Sequence, residues 1–115
     1  MATSEQAYDN LIVGGELTTD SGTLVSGQNL KRGALLGKIT SSGKLTLSLT
    51  AASDGSEEPY AVLNDDTDAS SGDKVCAIIL GGELNSGSIT FGADHTAAST
   101  KDGLRGLGIF LKTAK

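Results

Sequence analysis

Few of the 115 residues in this chain could carry chemistry. His95 is the single histidine, and it sits in the polar stretch "GADHTAAS" with no Ser or Cys at an evident spacing. A Ser–His–Asp triad needs a base beside its nucleophile, so His95 reads as a surface residue. Cys76, the single cysteine, lies inside "KVCAIIL", where a thiol acts as a small buried hydrophobe and no intrachain disulfide can form. Ser41 to Lys44 and Ser71 to Lys74 have the Ser-x-x-Lys spacing of penicillin-recognising enzymes. The companion Ser-Asp-Asn and Lys-Thr-Gly motifs are absent, and both copies fall in predicted turns. The acidic run "NDDTDASSGDK" begins like an EF-hand loop at Asp66, with Asp68 and Ser70 in step. Its glycine, Gly72, comes one position late, and Ala77 stands where a bidentate Glu belongs. Asp65, Asp66 and Asp68 are therefore expected to form a solvated turn, with a looser Ca²⁺ site as the metal alternative. Asp54, Glu57 and Glu58 read as another turn before Pro59. No catalytic group and no cofactor is expected.

The other chemical candidate is a glycine motif used twice. Leu11-Ile12-Val13-Gly14-Gly15-Glu16-Leu17 matches Ile78-Ile79-Leu80-Gly81-Gly82-Glu83-Leu84 in residue type at every position. A phosphate-cradling loop needs a helix N-terminus behind it, and neither "ELTTDSGT" nor "ELNSGSIT" starts a helix. A glycine pair after an apolar run also permits a bulge or a sharp bend, and that is the expected role of both copies.

Composition sets what kind of domain must position these residues. The length fits one domain, and a 37% hydrophobic, 3% aromatic chain can build only a thin core, so burial supplied by a partner chain is expected. Sixteen glycines with one proline and no collagen period indicate a turn-rich β protein. A net charge of −5 argues against neutralising nucleic-acid phosphates, since Lys31-Arg32 is the one basic pair. The first residues carry no basic and apolar leader pattern and no stretch approaches a membrane span, so a soluble, unsecreted product is expected.

Strands are predicted at Asn10–Val13, Thr23–Val25, Ala34–Thr40, Lys44–Thr50, Tyr60–Leu63, Val75–Leu80, Ser88–Phe91 and Gly108–Lys112, separated by Gly, Ser, Asp and Asn. "KITSSGKLTLSLT" reads as a hairpin. Its second arm alternates Leu45, Leu47 and Leu49 on a buried face with Thr46, Ser48 and Thr50 on a wet one. One helix of about two turns is predicted in "HTAASTKDGLRGLG", capped by Ser99 with Asp102 and stopped by Gly106 or Gly108. The fold class is mainly β: a compact sandwich or barrel-like domain with one short helix near the C-terminus. Residues 1–9 form a flexible polar arm and residues 10–115 the body.

Two family likenesses follow from longer stretches. "SGQNLKRGALLGKIT" resembles the approach of lipoyl and biotinyl carrier domains to their modified lysine, but the tip Ser41-Ser42-Gly43-Lys44 lacks the residues that flank that lysine. "SGQNLKRGALLGKI", "DGSEEPYAVL", "GGELNSGSITFG" and "LRGLGIFLK", in that order from about Leu11 to Lys112, resemble the lambda-type head decoration proteins of tailed bacteriophages. That resemblance implies a structural, non-enzymatic homotrimer on three-fold sites of the expanded head, partnered by the major capsid (coat) protein. It implies a place on the outer virion surface after synthesis in the host cytoplasm, with no direct nucleic-acid or membrane binding. It also implies an N-terminal arm that orders on the coat, with Glu5, Tyr8, Asn10, Leu11 and Ile12 as the capsid-binding residues. The alternatives are a carrier module modified at Lys44 and a solitary ligand-binding β module.

Overall fold

The computed structural model describes residues 11–92 and 95–112. The two Gly-Gly-Glu-Leu copies lie in the two longest strands, β1 (Ile12–Leu24) and β7 (Lys74–Asn85). These strands pair with each other antiparallel from Ile12↔Leu84 to Leu24↔Lys74, so the two copies of the motif face one another across one ladder. Register shifts fall between Ile12 and Gly14, between Gly14 and Thr18, and between Thr18 and Thr19, which are the bulges expected of a glycine pair inside a strand. The strands predicted separately at Asn10–Val13 and Thr23–Val25 are thus parts of one bent strand. Backbone pairing with β7 carries the chain straight through the polar residues "TTDSG".

The remaining strands are β2 (Asn29–Leu30), β3 (Leu35–Lys38), β4 (Leu45–Leu47), β5 (Pro59–Leu63), β6 (Thr67–Asp68) and β8 (Ile109–Lys112). Neighbours run β1-β4-β3-β5-β7, and the β1–β7 ladder closes the ring into a barrel; β2 and β6 form a separate two-stranded sheet. On one edge β7 pairs first with β5, through Ile78 and Ile79, and then with β8, through Gly82 to Asn85. The change of partner falls at Gly81-Gly82, where Gly82 has φ 137° and donates its N–H to the Gly108 carbonyl at 3.0 Å. This second glycine pair turns β7 from one neighbour to the next.

The helix α1 (Ala97–Leu107) is longer than predicted, with 11 residues. Its N-cap is Thr96, whose hydroxyl accepts the Ser99 N–H, while Ser99 Oγ accepts the Thr96 N–H; Ser99 is the third residue of the capping box rather than its cap. Gly108 ends the helix in the left-handed region at φ 95°, one of the two predicted stops. Asp102 instead pairs with Arg105 at 2.7 Å. The strand predicted at Ser88–Phe91 is replaced by a 3-10 turn, Ser86–Ser88, and a lone bridge between Thr90 and Ala34.

The core is aliphatic and forms two clusters. Leu104 of α1 packs with Leu11, Leu35, Val62, Ile79, Leu84, Ile89, Ile109 and Leu111 in the first. Leu24, Ala34, Leu36, Leu45, Ala61, Leu63, Ala69, Cys76 and Ile78 fill the other half. Successive residues Leu35 and Leu36 point to opposite clusters, as alternation along a strand requires.

The predicted hairpin forms, with Lys38↔Leu45, Gly37↔Thr46 and Leu36↔Leu47 in register. Its facing is corrected at the far end. Leu45 is buried, Leu49 is 39% exposed, and Ser48 is fully buried, because β4 stops at Leu47 and the chain bends inward. What draws Ser48 in is a polar clasp. Ser48 donates to the Ser56 carbonyl at 2.7 Å, and Ser56 donates its hydroxyl and its N–H to Asp54 Oδ1 at 2.6 and 3.0 Å. A Cβ on Gly37 would overlap the Ser56 carbonyl, and one on Gly92 would overlap the Ser48 carbonyl.

Alanine at either position should therefore cost about 1 to 3 kcal/mol, the range for overfilling a packed site. Gly103→Ala, whose added carbon meets nothing within 4 Å, should instead stabilise by about 0.5 to 1 kcal/mol through helix propensity. Thermal or urea unfolding separates the two classes, and wild-type stability in Gly37→Ala would contradict the clasp. The Ser56 bonds hold the Asp54 carboxyl below its usual 3.8, so its contribution to stability is present above that value and is lost as the pH falls through the lower, folded value. The stability gap between the wild type and Asp54→Ala should then be widest near neutrality and shrink below about pH 4.

Candidate functional site

The residues singled out for chemistry are absorbed by structure. Cys76 is 4% exposed, and burial pushes its thiol pKa up, as expected of a hydrophobe within a strand. His95 does have a serine partner, contrary to the expectation from sequence: its Nε2 lies 3.0 Å from Ser48 Oγ. Ser48 has a single proton, which goes to the Ser56 carbonyl, so His95 Nε2 must be the donor in that contact. A serine that accepts from its histidine is not activated as a nucleophile. The pair instead ties the loop before α1 to the strand end.

The acidic run is not the single turn expected: Asp65 and Asp66 lie in the bend before β6, and Asp68 is in β6 itself, opposite Asn29. Asp66 accepts the Arg32 N–H at 2.8 Å and stands 3.9 Å from Lys31, while Asp68 accepts from both the N–H and the hydroxyl of Ser70. Among the described residues no group of His, Cys, Asp and Glu is arranged to hold a metal ion. Lys44, the lysine of the carrier reading, is bound to Asp73 at 2.6 Å.

Of the residues assigned to capsid binding, Glu5, Tyr8 and Asn10 lie outside the described residues. Leu11 is 1% exposed within the cluster that holds Leu104 and accepts the Asn85 N–H at 2.7 Å; Ile12 pairs with Leu84 and packs on the same cluster. The start of the described chain is thus fixed at the end of β7. On the other edge of β7, β8 runs parallel and ends level with it, with Lys112 opposite Asn85. The first and last described residues therefore sit at one pole of the barrel, about two strand spacings, or roughly 10 Å, apart.

Beside that pole lies a groove of about 340 Å³ lined by Lys101, Arg105, Phe110, Leu111 and Lys112. Along β8, Ile109 and Leu111 point inward, whereas Phe110 stays 41% exposed, as does Leu107 at 48% at the end of α1. This surface holds no catalytic residue type, and its one signal in the sequence is the in-out alternation of "IFLK".

A comparison with curated proteins returns no match. The family model described as Bacteriophage lambda head decoration protein D matches residues 2–110, a span that takes in the barrel and the helix and runs into β8. That span takes in nearly the whole chain, and the chain belongs to this family of phage head decoration proteins.

Proposed function

We propose that the protein decorates the head of a tailed phage as a homotrimer. It sits at three-fold sites of the expanded shell and clamps neighbouring coat subunits against the pressure of the packaged DNA. The family match over residues 2–110 carries this reading, because it includes the arm as well as the body. On this reading the chain is made in the host cytoplasm and acts on the outer surface of the virion, without catalysis. Residues 1–9 are the arm and 10–115 the body. Glu5, Tyr8 and Asn10 engage the coat, and Leu11 and Ile12 serve as the anchored root from which that engagement is aimed.

The physics of the chain supports both parts. A core with no aromatic residue among the fully buried side chains of the described residues leaves burial to be gained by association, and closed symmetric assemblies are the usual outcome. An extended arm adds backbone hydrogen bonds to a sheet edge of its partner, while side chains such as Tyr8 set the register.

Light scattering should give three times the 11.6 kDa chain mass, and the monomer mass at micromolar concentration would overturn the trimer. Deleting residues 2 to 9 spares the buried Leu11, so the variant should keep that mass yet fail to co-sediment with expanded phage shells. Tyr8→Ala should weaken sedimentation without lowering the melting temperature. Undiminished decoration by the truncated protein would move the coat contact to the body.

A further inference from the structure

α1 separates two grooves of opposite charge. Its stripe of Lys101 and Arg105 lines the basic groove, whose other wall is Phe110 to Lys112 of β8. Its stripe of Ser99 and Gly103 lines a second groove, of about 350 Å³, whose far wall carries Glu57, Glu58 and Pro59. Leu107 stands four residues beyond Gly103 on that same stripe, so each side of the helix carries one large exposed hydrophobic residue, Leu107 or Phe110. Between Ser99 and Leu107 only Thr100 and Leu104 are buried, and Asp102 and Gly106 form an exposed ridge between the two grooves. Asp102 answers Arg105 at 2.7 Å and Glu83 answers Lys112 at 3.3 Å. Lys101 on one flank and Glu58 on the other have no ion pair among the described residues.

We propose that in the homotrimer of the proposed function, on which this inference rests, each copy sets its basic groove against the acidic groove of the next. The two flanks of α1 are then the two halves of one repeated interface, and α1 lines the three-fold axis. A three-membered ring is built from heterologous contacts, in which every copy offers two different patches that must complement each other. The grooves meet that demand in charge, Lys101 and Arg105 against Glu57 and Glu58, and in apolar surface, Phe110 against Leu107 and Pro59. Their placement meets it in geometry. Patches on the two flanks of one helix converge in front of it, which is the wedge that closes a small ring. The other acidic surface, Asp65, Asp66 and Asp68 beside the exposed Val75, adjoins the start of β7, whereas Phe110 lies beside its far end. Pairing that surface with the basic groove would stack copies end to end into an open chain. The covered Phe110 would also give the assembly the aromatic burial that the core of one copy lacks.

The test uses the full chain without shells. A monomer mass for the wild type by light scattering would overturn the trimer and this interface together. With a trimeric wild type, Glu58→Lys and Lys101→Glu should each weaken self-association by about tenfold per contact, because each sets like charges face to face. Far-ultraviolet circular dichroism should show both variants folded, and Glu58→Lys combined with Lys101→Glu should regain the wild-type association. Glu58→Cys combined with Lys101→Cys should link three chains on oxidation, while either cysteine alone should link none. Association that is indifferent to both single reversals would overturn the interface and leave the trimer standing on another face. So would a Glu58→Cys protein that links two chains by itself, since that contact would be self-matched.

Discussion

The antiparallel ladder between β1 and β7 is the interaction on which the rest of this structure depends. It closes the barrel, joins the start of the described chain to its last third, and sets both glycine pairs opposite one another. A ladder of 13 against 12 residues is long for so small a sheet protein, and a straight pair of that length could not follow a barrel wall. The bulges around Gly14 and the positive φ at Gly82 supply the curvature. The duplicated motif therefore answers a geometric demand rather than a chemical one. One copy lets β1 slip register, and the other lets β7 leave β5 for β8.

Within that frame the core, in which Tyr60 and Phe91 are only partly buried and no aromatic side chain among the described residues is fully buried, compensates by close backbone approach. Leucine, isoleucine, valine and alanine, joined by Cys76, fill the two clusters with little exposure, and the walls close over Gly37 and Gly92, where neighbouring carbonyls occupy the space a side chain would take. Small residues at these points do what bulky ones do elsewhere, since they bring polar backbone close enough to be bonded by Ser48 and Ser56. The polar clasp and the apolar core are then one construction. A buried hydroxyl without the Ser56 carbonyl would cost about 1 to 3 kcal/mol.

Much of this was legible in the sequence, where the structure is local. The hairpin around Gly43, the β5 run, the burial of Cys76, the Gly108 helix stop and the bending role of the glycine pairs all follow from alternation, turn residues and missing side chains. What could not be read was set by partners distant in sequence. "TTDSG" looks like a turn, and becomes strand only because β7 lies beside it; Leu49 continues an alternation that the inward turn at Ser48 interrupts. His95 finds Ser48 at 47 positions' separation, and no spacing rule reports that contact. The helix gained a turn because Thr96, not Ser99, holds its first amides. For the arm residues the sequence was legible only in type, as polar and acidic with one tyrosine, while the body shows where their root is held.

That root has an energetic consequence for the proposed role. Ordering a free segment costs about 1 to 2 kcal/mol per residue, so an arm of nine residues has to recover on the order of 10 kcal/mol before it binds at all. Anchoring Leu11 in the core removes that cost for the root alone, and leaves the rest to backbone pairing and a single aromatic side chain. One arm on one coat subunit is therefore weak by construction. In the proposed trimer, three arms leaving one symmetric body would act at high effective concentration once the first is seated, and their combined grip would exceed that of any one by orders of magnitude. Such a device holds only where three acceptors stand at the right separation. Shell geometry then governs binding more strongly than the chemistry of any single contact, and an arm needs no stronger recognition sequence than the polar one this chain carries.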